Sequence, residues 1–146
     1  MRLFSEVATH KYHTMYHQIS HKVNQLFDFY AILPFKELEG ADVDRWREWI
    51  AQGRHGAMGY MERERDDLRR LMSSVRSVIV VGVAQPERGD PSVARCFSSP
   101  EDYHDRVKGR LWELLAFIRT VDPRAKGRAV VDSAPILEKA LARRGG

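Results

Sequence analysis

Cysteine is nearly missing: Cys96 stands alone among 146 residues. No disulfide can close within the chain. Nor is there a thiolate set for a zinc centre or an iron–sulfur cluster, which takes about four. Apolar runs approaching the roughly 20 residues that cross a bilayer are also missing. The opening MRLFSEVATHKYH has no signal-peptide apolar core. No internal repeat or low-complexity stretch interrupts the chain. These absences predict a soluble, cytoplasmic protein in a reducing compartment, with no membrane partner.

What is present is ordinary for a globular protein. The hydrophobic fraction is 43% and the charged fraction 30%, which excludes a disordered chain. The length is that of one domain, enough to hide about 68–70% of the unfolded surface. The net charge of +4 is uneven: the last 28 residues hold seven basic and three acidic side chains. Such a bias suits an anionic partner such as RNA, because Lys and Arg make phosphate contacts. An ordinary solvated face has the same composition.

Residues 5–27 read as a helix. Tyr12, Met15, Tyr16, Ile19, Val23, Leu26 and Phe27 share one face at 3.6-residue spacing. His10, His13, His17 and His21 form a stripe on the other side. Imidazoles four apart can share a metal ion. No carboxylate or cysteine joins this stripe, so solvent exposure is the expectation and no metal site is assigned. Phe27–Phe35 reads as a short strand stopped by Pro34. A helix capped by Asp42 or Asp44 then runs to Gly53. RHGAMGYMER (54–63) reads as an apolar loop, and ERERDDLRRLMSSVR (62–76) as a basic helical patch.

Ser77–Ala84 (SVIVVGVA) is a β-branched run of the kind buried on both faces of a sheet. Gln85–Pro100 is a Gly/Pro/Ser-rich loop. Helical spacing returns from Tyr103 to Ile118 and ends at Asp122-Pro123. Arg128–Val131 reads as a strand, and Ala134–Arg144 as a final helix with Pro135 in its first turn. This order predicts a layered α/β domain.

Asp132 is the leading chemical candidate. It follows a predicted strand, where functional side chains of open α/β sheets concentrate. Its neighbours Val131, Ala134 and Pro135 are apolar, so desolvation can raise its pKa and make it a proton donor. Capping of the last helix by Asp132 or Ser133 is the competing reading. Asp102, Tyr103 and His104 stand where a loop becomes a helix, a place that favours anions. Asp102 as an ordinary cap is the alternative there. Arg95 and Cys96 lie in the long loop, and no adjacent histidine activates the thiol. His55 and Gly56 sit in the glycine-bearing loop, where Gly56 and Gly59 allow close backbone approach to a ligand.

Five pieces occur in order: GRHGAMGYM (53–61), SVIVVGVA (77–84), AR (94–95), EDYHDRVKGRL (101–111) and VVDSAPILEKALA (130–142). Together they resemble the N-terminal region of epoxyqueuosine reductase, over about residues 40–146. The resemblance implies a cytoplasmic oxidoreductase of queuosine biosynthesis that reduces epoxyqueuosine at the tRNA wobble position. It implies a nitroreductase-like α/β domain holding cobalamin, followed by a ferredoxin-like domain with two 4Fe-4S clusters. By motif, Asp132 is the proton donor. His55, Gly56, Ala94, Arg95, Tyr103, His104 and Ser133 fall near the cofactor, and Lys139 stands where the family usually has Arg.

The chain departs from the family pattern in RCFSSPE (95–101), where Cys96 replaces an aromatic residue. It also lacks the family's GLGWIGK-like run, its clustered cysteines and its helical-repeat tail. The expectation is therefore the first part of a cobalamin domain, inactive alone and dependent on an external electron donor. The alternative is a non-catalytic cobalamin-binding or interaction module.

Overall fold

The computed structural model describes residues 3–84, 103–131 and 134–146; side chains are described from Tyr12 onward, Tyr103 excepted. Among the described residues six elements make up the fold. They are α1 (Leu3–Leu26), β1 (Phe29–Pro34), α2 (Ala41–Ala51), β2 (Ser77–Gly82), α3 (Tyr103–Val121) and α4 (Glu138–Gly145). Two 3-10 turns, Gly59–Glu62 and Leu68–Arg70, lie between α2 and β2. Helix and a small sheet are both present, which is compatible with an α/β class. Among the described residues no helix is long and apolar enough to cross a membrane.

The chain divides into two compact units. The first joins Met1–Phe29 to Gly82–Ala129, and the second joins Tyr30–Val81 to Val130–Gly146.

In the first unit α1 packs against α3. Val23 and Phe27 from α1's end, and Val107, Leu114 and Leu115 from α3, are buried. These α3 positions recur at helical spacing, which is why one face of the helix is apolar. Lys22 bonds Glu113 at 2.6 Å, and Arg110 donates to the Leu26 carbonyl at 3.1 Å. The predicted apolar stripe of α1 is only partly used. Tyr12 is 69% exposed and Tyr16 51%, because the buried face centres on Val23 and includes Ser20. After α3 the chain turns at Asp122-Pro123, where Asp122 accepts from the Arg124 amide.

Among the described residues the second unit holds the larger buried cluster. Leu38, Val43, Leu68, Ile136, Ala140 and Leu141 are buried together, with Phe35, Val78, Val80 and Val130 packed around them. β1 and β2 form a two-stranded sheet. The Asp28 amide reaches Gly82 at one end and the Phe35 amide reaches Arg76 at the other, so the strands are antiparallel. β2 is exposed at Ser77 and half-buried from Val78 to Gly82 rather than sealed on both faces, a correction to the reading of its apolar run.

Four further expectations change here. α2 takes Gly40 as its cap, with no side-chain bond, and Asp42 and Asp44 occupy the first turn. There they favour the helix dipole instead of capping. The basic 62–76 stretch forms only short turns, because Asp67 accepts the Arg69 amide at 2.9 Å and stops a helix from propagating. Arg128–Val131 is not a strand: Val130 packs by its side chain, without a sheet partner among the described residues. The last helix begins at Glu138, not at Ala134, so Pro135 precedes it. Gln85–Pro100 lies outside the described residues.

Candidate functional site

α2 ends at Ala51, and Gly53 just beyond its cap has a φ of +64°, the left-handed region that glycine tolerates. A second positive-φ glycine, Gly56 at +56°, turns the chain again. Between them the loop presents His55. Its side chain is 13% exposed, and Nε2 lies 2.8 Å from Glu62 Oε1. Nδ1 is buried with no hydrogen-bond partner among the described residues. The ring stands 6.0 Å from that of Trp49.

The outer face of the loop is apolar. Met58 is 43% exposed and Tyr60 57%, and the Tyr60 hydroxyl donates to the Met58 sulfur. At Gly56 and Gly59 a Cβ would meet nothing within 4 Å, so the backbone is open. Bare backbone beside exposed apolar side chains suits a broad, flat, largely apolar ligand better than a small polar one.

Arg65 follows the loop and turns inward. It is 7% exposed. Nη2 contacts the Tyr60 carbonyl and the Met61 sulfur at 3.4 and 3.3 Å. Nη1 contacts the carbonyls of Ala134 and Ile136 at 3.4 and 3.5 Å. One guanidinium thus bridges the glycine-bearing loop and the segment that follows Asp132-Ser133. On that segment the Ala134 amide donates to the Val131 carbonyl at 2.9 Å.

The residues singled out from sequence are distributed as follows. His55, Gly56 and Lys139 belong to the second unit, and Lys139 is exposed on α4. Tyr103 opens α3 and His104 lies half-buried in its first turn, both in the first unit. Asp132, Ser133, Ala94, Arg95, Cys96 and Asp102 lie outside the described residues. Of the histidine stripe, His13 and His17 touch at 3.2 Å between Nε2 atoms. No group of three or more His, Cys, Asp or Glu converges among the described residues.

Sequence reasoning missed Glu62 and Arg65. Glu62 is seven residues from His55 across a loop, which no helical or strand period marks. Arg65 is one of four arginines between positions 63 and 70, and nothing in the local pattern distinguishes the buried one.

Electrostatics elsewhere is mostly structural. Arg69 bonds the Asp67 carboxylate and holds its pKa below the ordinary aspartate value. Several arginines of the basic C-terminal stretch are engaged within the protein. Arg143 pairs with Asp42 at 2.9 Å, Arg144 donates to the carbonyls of Lys36 and Glu37, and Arg124 pairs with Asp122.

Comparison with known proteins decides the family. The family model described as "Epoxyqueuosine reductase QueG, DUF1730" matches residues 65–133. The epoxyqueuosine reductase of Gloeobacter violaceus is 33% identical over 116 residues, 75% of this chain and 36% of that protein. This chain belongs to the epoxyqueuosine reductase family. The Cellulophaga algicola enzyme of that name is 34% identical over 72% of this chain and 37% of its own length. The Synechocystis enzyme is 33% identical over 80% and 43% respectively. The chain therefore spans well under half the length of these epoxyqueuosine reductases. No solved structure matches it. The family match begins at Arg65 and ends at Ser133, and so includes both Arg65 and Asp132.

Proposed function

We propose that this chain is the cobalamin-holding portion of a tRNA epoxyqueuosine reductase, which reduces epoxyqueuosine to queuosine at the wobble position. The observation that carries this reading is the similarity to epoxyqueuosine reductases over 72–80% of the chain. The open, apolar-faced loop around His55 and Gly56 supports it. When bound, cobalamin supplies the reducing centre.

The chain's own residues bind, orient and donate a proton. His55 and Gly56, with Ala94, Arg95, Tyr103, His104, Ser133 and Lys139, are assigned to the cofactor's surroundings. Asp132 is assigned as the acid. Opening an epoxide builds negative charge on oxygen, and a neutral carboxyl placed there donates its proton as the C–O bond breaks. The cofactor carries the redox step, and protein supplies position and electrostatics. One cysteine cannot hold an iron–sulfur cluster, so the electrons come from outside these 146 residues.

Cobalamin titration of the purified chain, followed by corrin absorbance, tests the cofactor assignment. Saturable binding is expected, and none at millimolar chain would overturn it. Replacing the aspartate that matches Asp132 by Ala in a full-length relative tests the acid. Reduction is expected to be lost while cobalamin stays bound. Retained turnover would remove Asp132 from the mechanism. Bound cobalamin with no turnover under any electron donor, even when joined to a relative's remaining length, would favour a binding module without catalysis.

A further inference from the structure

A buried cation without an anion is costly, and one is normally found paired. Among the described residues, no anion meets Arg65. It is 7% exposed, and the atoms it meets among the described residues are three carbonyl oxygens and a thioether, none of them a carboxylate. Its Nε is buried with no partner among the described residues. A methionine of similar length would fill this space without carrying the charge. Core filling therefore does not explain a guanidinium here.

Its geometry does. The planar fork sends one amino group to each of two segments that no secondary structure joins. One is the end of the glycine-bearing loop, at Tyr60 and Met61. The other is the turn at Ala134 and Ile136, which directly follows Ser133 in sequence. Lysine, a point charge with a single nitrogen, has no such fork.

We infer that Arg65 is a positioning residue, clipping the end of the His55–Gly56 loop, at Tyr60 and Met61, to the turn at Ala134 and Ile136. Its role is to keep the glycine-bearing loop and this turn in one relative geometry. This rests on the site reading above only for what the geometry is used for. The clip itself is tested without the cofactor.

The test compares Arg65→Met and Arg65→Lys with the unmodified chain by amide hydrogen exchange. The reporters are amides hydrogen-bonded inside the two segments: Met61 to Met58, Ala134 to Val131, and Ile136 to Ala134. Arg65→Met is expected to speed exchange at all three about tenfold or more, in keeping with losing hydrogen bonds to a charged group. Amides of α2 and β2 should not change. Arg65→Lys should fail to restore protection to both segments at once.

Faster exchange at only one segment, uniform acceleration across the second unit, or no change would each overturn the clip. Full rescue by lysine would also overturn it, by reducing the role to charge. If Arg65→Met does not fold, the lysine variant decides by the same criterion. In parallel, cobalamin affinity should fall at least tenfold in Arg65→Met. If the unmodified chain takes no cobalamin, the functional reading fails while the exchange result still decides Arg65. If cobalamin binds equally well to both proteins, the clip does not position the site and the inference is overturned.

Discussion

Leu141→Ala offers the sharpest test of how the second unit is held together. Leu141 is 4% exposed and shares its core with Leu38, Val43, Leu68 and Ile136. Truncating such a leucine costs about 2–5 kcal/mol, from lost transfer energy and from the cavity left behind. A unit of roughly 70 residues has about 3–10 kcal/mol to lose. The ion pair of Arg143 with Asp42 lies at the surface and contributes at most about 1 kcal/mol, so it cannot compensate.

With a urea slope of about 1 kcal/mol per molar, a loss of about 3 kcal/mol lowers the unfolding midpoint by about 3 M. Tryptophan fluorescence is a suitable readout. Trp46 and Trp49 are half-buried on α2 within this unit, whereas Trp112 is 51% exposed on α3. Ala142→Gln, at an exposed position on the same helix, should stay within about 0.5 kcal/mol of the parent. A midpoint shift below about 0.5 M for Leu141→Ala would refute the seating of α4 described above. So would an equal shift in the Ala142→Gln control.

Two further predictions follow from local geometry. A Cβ on Gly145 would come within 2.5 Å of the Ala31 Cβ, which cannot swing aside. Gly145→Ala should therefore cost about 1–3 kcal/mol as α4 is pushed from β1, and an unchanged melting temperature would contradict that contact. The second concerns Asp67, whose pKa is lowered chiefly by its hydrogen bond from the Arg69 side chain. A depressed folded value means that this stabilisation is complete above the unfolded value of about 3.9 and is lost as pH falls through the folded one. An NMR titration of the carboxyl should give a midpoint below the ordinary value, moving back up in Arg69→Gln. An unmoved midpoint would exclude the bond.

Much of the scaffold was legible because it is local. α1, α2 and α3 follow from apolar spacing, and β1 from the run before Pro34. What failed depends on partners distant in sequence. Arg128–Val131 has strand composition, yet a strand needs a neighbouring backbone, and no sheet partner meets it among the described residues. The 62–76 stretch has helical spacing, but Asp67 satisfies the Arg69 amide first. At the candidate site, composition and glycines pointed to the His55–Gly56 loop. The side chains that fix it, Glu62 and Arg65, act across a turn and across the fold. Their role could be read only once the backbone was in place.

The second unit is discontinuous: Tyr30–Val81 and Val130–Gly146 are separated by residues 82–129. During synthesis Leu38, Val43 and Leu68 leave the ribosome long before Ile136, Ala140 and Leu141 exist to cover them. At about 5–20 residues per second, that interval lasts several seconds. The half-made unit must wait with its apolar side open, while α3, which belongs to the other unit, is completed first. Nascent chains arrested near residue 130 should therefore be protease-sensitive in the 30–81 stretch and become resistant only after the α4 sequence has emerged.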